Sequence, residues 1–178
     1  RHWLGKPEFV LSRSAEGGMG CLAIVADPLP GAWVRMAALE RKGYSSKKSF
    51  LQFASMMDAV TDSLMGLGVT EIGWMAPIAW PDQWPEKLGF TEFEKIVTYQ
   101  KPTFALPSLP EIIRLEIRPG TAEDAADLAD IERRTYTPLW RHSAEGIRAA
   151  MSQSFCFDVA LIDDQIVGFQ HSASNRGG

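Results

Sequence analysis

Hydrophobic positions along this 178-residue chain change their period several times, and each change marks an element. Residues 8–15 (EFVLSRSA) and 19–27 (MGCLAIVAD) read as two strands. Glu16, Gly17 and Gly18 join them, with glycine available where a hairpin-like connection needs positive φ. The breaker cluster Asp27-Pro28-Leu29-Pro30-Gly31 precedes a third strand over 32–39. From Lys47 to Leu67 the period becomes helical: Phe50, Phe53, Ala54, Met57, Val60, Leu64 and Leu67 fall on one side, and Lys48, Asp58 and Asp62 fall elsewhere. Ser46 or Ser49 is placed to cap that helix, and Gly66 and Gly68 mark its end. Val69 to Met75 predicts a fourth strand. After a Pro- and Trp-rich segment, Glu86-Lys87-Leu88 reads as a helical turn closed by Gly89, and Phe90 opens a strand toward Tyr99.

The stretch 102–111 (PTFALPSLPE) holds three prolines, which preclude a regular helix or central strand and favour an extended connector. Beyond it, Ile113, Leu115 and Ile117 alternate with Arg114, Glu116 and Arg118 as a strand. Thr121 followed by Ala-Glu-Asp124 supplies a capping hydroxyl and first-turn acids for a helix running to about Tyr136. A loop over 137–142 leads to a second helix from Ser143, and two strands, 155–162 and 165–172, flank Asp163-Asp164. This grammar predicts an α/β protein of the α+β kind, with a mixed, mostly antiparallel sheet flanked by helices. It divides into a lobe over 1–101, a linker over 102–111 and the start of a second lobe over 112–178.

Charge and composition narrow the partners. The formal net charge is −4 and the Lys and Arg residues are dispersed, which argues against a nucleic-acid surface. No run approaches the ~18 apolar residues of a membrane span. Cys21 and Cys156 stand far apart, as do His2, His142 and His171, so neither a disulfide framework nor a metal site is expected, and a reducing cytoplasm is the default. The opening Arg1-His2-Trp3-Leu4-Gly5 has neither an initiator Met nor an apolar core of a signal sequence, and reads as that of a polypeptide processed, trimmed or taken from something longer.

Two stretches carry a family resemblance. The phrase EKLGF (Glu86–Phe90) with its flanking strands resembles the C-terminal end of an N-acetyltransferase of the GNAT superfamily. IRPGTAEDAADLADIERRTY, a helix, and then FDVALIDDQIVGFQHS resemble the opening of another such domain. The residues bearing that second match are Ile117, Arg118, Pro119, Asp124, Val159, Ala160, Ile166, Val167, Gly168 and Phe169. The resemblance implies a GNAT-like acyl-CoA N-acyltransferase fold of tandem-lobe type, in which the first lobe lacks its beginning and the second its end. An alternative assembly has the second segment completing the first sheet, within one chain or by exchange in a homodimer.

The resemblance also implies acetyl-CoA as substrate, no metal, and a small-molecule amine or acyl acceptor. In the family, backbone amides of a Gly-rich loop hold the pyrophosphate at a helix N-terminus. The matching positions are Arg41, Lys42, Gly43, Ser45 and Ser46, which keep basic residues, hydroxyls and one glycine but not the paired glycines. A solvated basic turn that binds nothing is the competing reading. Amides within the third strand, Val34, Met36 and Ala38 among them, are the implied donors to the thioester carbonyl. The expected acid, commonly a tyrosine before EKLGF, is replaced by Pro85, which cannot donate a proton, and Tyr99 lies on the later strand. No catalytic residue is fixed; Glu40 and His142 are the candidates, with Glu71 and Glu86 beside them by position. Trp74, Trp80 and Trp84 are placed to line an apolar groove. The implied activity is acetyl transfer from acetyl-CoA to an amine, with a degenerate first lobe, and the alternative is a non-catalytic ligand-binding or structural lobe.

Overall fold

The computed structural model describes residues 8–15, 17–40, 47–76, 83–97, 103, 105 and 115–172. Strands β1 (Phe9–Arg13), β2 (Met19–Val25) and β3 (Gly31–Leu39) form an antiparallel meander. Gly17, at φ 88°, and the Ser14 hydroxyl, which accepts the Gly18 N–H at 2.9 Å, shape the β1–β2 connection. Helix α1 (Lys47–Gly66) then crosses over and returns the chain as β4 (Glu71–Gly73), parallel to β3. Helix α2 is one short turn, Trp84–Lys87, closed by Gly89 at φ 85°.

The apolar face expected for α1 is the one it buries. Phe53, Met56, Met57, Val60 and Leu64 pack on Leu22, Ile24, Ala32 and Val69 to make the first core. Leu67 falls beyond the helix end and is exposed. Trp84 enters this core, its ring 5.5 Å from that of Phe50, and so is not a groove residue.

The second segment builds its own sheet and core. Strands β5 (Leu115–Pro119), β6 (Cys156–Ile162) and β7 (Gln165–Ser172) are antiparallel in the order β5-β6-β7. Helices α3 (Ala125–Thr135) and α4 (Ala144–Gln153) cover one side through Ala125, Leu128 and Ile147 against Phe157, Val159 and Leu161. A capping box links Thr121 and Asp124 ahead of α3, and the Ser143 hydroxyl caps α4 by accepting the Gly146 N–H at 2.9 Å. Asp163 and Asp164 turn the β6–β7 hairpin with both residues at positive φ, as a two-residue loop requires.

The architecture is therefore mixed α/β, with largely antiparallel sheets flanked by helices. Two expectations change. The described strands form two sheets, so the second segment does not extend the first sheet among the described residues. Nor does a strand form over 90–97: residues 91–97 are exposed throughout, so that neither side of the apolar/charged alternation is buried, and no described strand pairs with them. The position of Tyr99 lies outside the described residues.

Candidate functional site

Strand β3 is nine residues long, yet β4 pairs only with its first three, Gly31, Ala32 and Trp33. Just past that point β3 carries a bulge. Ile24 faces Val34 and Ala23 faces Met36, leaving Arg35 as the extra residue. A bulge shifts the alternation of the strand by one. The Glu40 N–H points to β2, donating to the Met19 carbonyl at 2.8 Å. Counting back by the antiparallel rule, the N–H groups of Met36 and Ala38 also face β2, whereas those of Ala37 and Leu39 face the opposite edge. Beyond Trp33 no described strand covers that edge. Of the three anticipated strand positions, Met36 and Ala38 thus have their amides engaged on the β2 side, and Val34 sits where the two strands part.

At the parting point lies a cavity of about 300 Å³. Trp33, Gly73 and Trp74 from the two strands, Pro85 and Glu86 from α2, and Leu139 and Trp140 from the second segment contribute to its walls. The loop over 138–140 is a 3-10 turn docked on the start of β3. The Trp33 indole N–H donates to the Leu139 carbonyl, and the Trp33 and Trp140 rings stand 5.1 Å apart at 57°. Gly31 permits this approach, because a Cβ there would lie 3.1 Å from the Pro138 carbonyl oxygen. Trp74 lines the cavity as anticipated; Trp80 lies outside the described residues.

His142 follows that docked loop. Its Nδ1 is 3.0 Å from Glu132 Oε2 and its backbone N–H donates to the same oxygen at 2.5 Å. Glu132 is buried while the His142 side chain is half exposed. The bond to Glu132 raises the imidazole above its ordinary pKa; burial opposes this, and the nearby charges of Arg35 and Asp27 act in opposite directions. Arg35 is the bulge residue of β3, so His142 stands where the two halves of the chain meet. Glu40 lies elsewhere. Its carboxylate accepts the Met19 N–H at 3.2 Å, seven residues beyond Trp33, about 20 Å further along the strand at the usual rise. Structure and sequence therefore do not bring Glu40 and His142 to one place. Glu71 is in β4, and Arg41, Lys42, Gly43, Ser45 and Ser46 lie outside the described residues.

In the second segment, Arg118 grips Asp124 through two parallel bonds of 2.8 and 2.7 Å, and Thr121 donates to Asp124 Oδ2 from its backbone at 2.8 Å. Together they hold the Asp124 carboxyl far below the ordinary carboxylate range, the Arg118 bond being the largest cause, although burial opposes it. This is a structural clasp between β5 and α3. Among the described residues no group of three His, Cys, Asp or Glu is gathered for a metal, and no helix is long and apolar enough to cross a membrane.

The site is thus a splayed parallel pair in a mixed α/β fold, with an open strand edge and an aromatic cavity at the fork. No family model matches the chain and no curated protein matches it. Among solved structures it is similar to TTHA1254 from Thermus thermophilus, at 14% identity and a TM-score of 0.41, over 59% of this chain and 78% of that one. It is also similar to AAC(6')-Iy in complex with the bisubstrate analogue CoA-S-monomethyl-acetylneamine, at 16% identity and a TM-score of 0.38, over 57% of this chain and 75% of that one. Likeness at this level carries no argument about activity, and the functional reading rests on the chain's own residues.

Proposed function

We propose that the chain is part of an acyl-CoA-dependent N-acetyltransferase of the GNAT type, transferring acetyl from acetyl-CoA to a small-molecule amine. The observation that carries this reading is the fork: β3 and β4 run parallel for three residue pairs, then part beside a cavity and leave the Ala37 and Leu39 N–H groups on an open edge. Acyl transfer needs a fixed N–H at the thioester carbonyl, where negative charge develops as the amine attacks. The amine nitrogen forms a bond to the carbonyl carbon, the carbon–sulfur bond breaks, the thiolate leaves with CoA, and the amine's proton passes to solvent. Arg41, Lys42, Gly43, Ser45 and Ser46, which precede α1 in the sequence, are the residues that would meet the pyrophosphate by charge, hydroxyls and backbone N–H.

In this reading 1–101 and 112–178 are parts of tandem lobes joined by 102–111, and the chain works in the cytoplasm without a metal. A second reading, a lobe that binds a ligand without catalysis, is favoured by one observation: Pro85, where the family's acid would stand, lines the cavity itself and has no proton to give.

Calorimetric titration with acetyl-CoA separates the two outcomes from a chain that binds no CoA. Micromolar binding that is lost when Arg41 and Lys42 are both replaced by Ala supports the pyrophosphate site, and release of free thiol with added amines supports catalysis. Binding without thiol release supports the second reading. An absence of binding at millimolar acetyl-CoA overturns both.

A further inference from the structure

The two cores have no residue in common, and Leu139 stands outside both: it is buried, at 8% exposed, yet belongs to neither. It is covered at the seam between the two segments. There the Pro138–Trp140 turn lies on β3 and β4, and no other described element of 115–172 makes more than a grazing contact with the first sheet. Three points hold the turn in place. Pro138 meets Gly31, the Leu139 carbonyl accepts the Trp33 indole N–H, and the Trp140 ring leans on that of Trp33.

The shape of the turn owes nothing to β3. The Trp140 N–H donates to the Thr137 carbonyl at 3.0 Å, the Arg141 side chain donates to the Tyr136 carbonyl at 2.7 Å, and Glu132 holds His142. Every one of these partners belongs to the second segment. The turn is therefore a preformed knob on a body with its own core, seated in a seam one turn wide. Where two separately cored bodies share so small a contact, relative motion is the ordinary expectation.

We propose that the Pro138–Trp140 turn is a releasable latch. The two segments exchange between a docked and an undocked arrangement, and release carries the intact turn off β3, taking the Leu139 and Trp140 wall from the fork cavity. Enclosure of the cavity then depends on where the segments sit, not on either fold alone. A ligand that touches those two walls favours docking, and release weakens it through the same coupling. The device stands apart from acyl transfer and needs no CoA.

The test is thiol labelling of the whole folded chain, with Leu139→Cys as the probe in the seam and Leu128→Cys as the probe in the second core. Labelling is read peptide by peptide, which separates the probes from Cys21 and Cys156. The thiol at 139 is expected to react on the order of a hundredfold faster than the one at 128, because the seam opens without unfolding. Gly31→Ala places a Cβ 3.1 Å from the Pro138 carbonyl oxygen, a backbone atom that gives way only if the turn moves. Trp33→Phe removes the indole donor. Both changes lie in the first segment, and each is expected to speed labelling at 139 about tenfold while leaving 128 unchanged. Gly31→Arg, a larger wedge, is expected to enlarge the radius of gyration in small-angle scattering, again with 128 unchanged. The proposal is overturned if 139 reacts no faster than 128, or if neither Gly31→Ala nor Trp33→Phe speeds it. Equal acceleration at both probes overturns it too, as does faster labelling at 139 in Gly31→Arg at unchanged size, which marks a turn that frays alone.

Discussion

Glu132, buried on α3, receives two bonds from a single residue ten positions on: the backbone N–H of His142 at 2.5 Å and the imidazole Nδ1 at 3.0 Å. The pair ties the end of α3 to the residue just before the α4 cap. Because the bond raises the imidazole's pKa in the folded protein, the stabilisation is fully present below the unfolded value, about 6.5, and is lost as pH rises through the higher folded value. An NMR titration of the His142 ring is expected to show a midpoint above that of a free histidine. With Glu132→Gln the midpoint falls, since burial and Arg35 are then opposed only by the smaller effect of Asp27. An unchanged midpoint would show that Glu132 does not govern it.

Asp124 behaves in the opposite sense. Its carboxyl is depressed by Arg118 and the Thr121 N–H, so its contribution is present above the unfolded value of about 3.9 and is lost as pH falls through the folded one. Asp124→Asn exchanges charge-assisted bonds for weaker ones and also loosens the capping box. The expected cost is about 2 kcal/mol in chemical denaturation at pH 7, shrinking in strong acid.

Gly73→Ala tests the wall of the cavity. A Cβ there would lie 2.8 Å from the Trp33 ring, which is itself held by its contact with Trp140 and its bond to Leu139. The expected result is a loss of about 1–3 kcal/mol and a red-shifted tryptophan emission. Gly66→Ala, where a Cβ meets nothing within 4 Å, is the matched control and is expected to be neutral or slightly stabilising.

Two cores predict two patterns of local protection. Phe53→Ala removes a fully buried ring from the first core, at an expected cost of about 3–5 kcal/mol, and Leu128→Ala costs about 2–5 kcal/mol in the second. In hydrogen exchange, the first substitution is expected to raise exchange in β2 and α1 far more than in β6, and the second the reverse. Uniform acceleration by either one would contradict the independence of the two cores.

How far the residues announced this structure depends on the range of the interaction. Helix α1 was legible because seven apolar residues share one side, and the capping box because Thr121 and Asp124 are three apart. The β6–β7 turn was legible because two acidic residues interrupt two apolar runs. Features made by distant partners were not. Trp33 and Leu139 are 106 positions apart, so nothing local to either announces their bond or the cavity wall they build. Trp84 has the same composition signal as Trp74 and both rings pack on Phe53, yet Trp84 is buried in the core against Phe50 while Trp74 is partly buried and lines the cavity. The segment 90–97 fails as a strand for a related reason. It alternates acceptably but no described strand is there to pair with it. Glu132 and His142 each gave a weak local signal, and their contact depends on the path of the intervening loop.

The extra residue at Arg35 makes β3 a strand with a phase slip. Upstream of it, even-numbered backbone positions face β4; downstream, the odd-numbered ones, Ala37 and Leu39, face that edge instead. A reader who counts by twos from Gly31 assigns every amide after the bulge to the wrong side. Deleting Arg35 would therefore remove the slip and leave Met36 and Ala38 engaged with β2, whereas drawing Arg35 into regular alternation without deleting it would exchange the engaged and open amides along the distal half, the pairing at Gly31 to Trp33 staying in register in both cases.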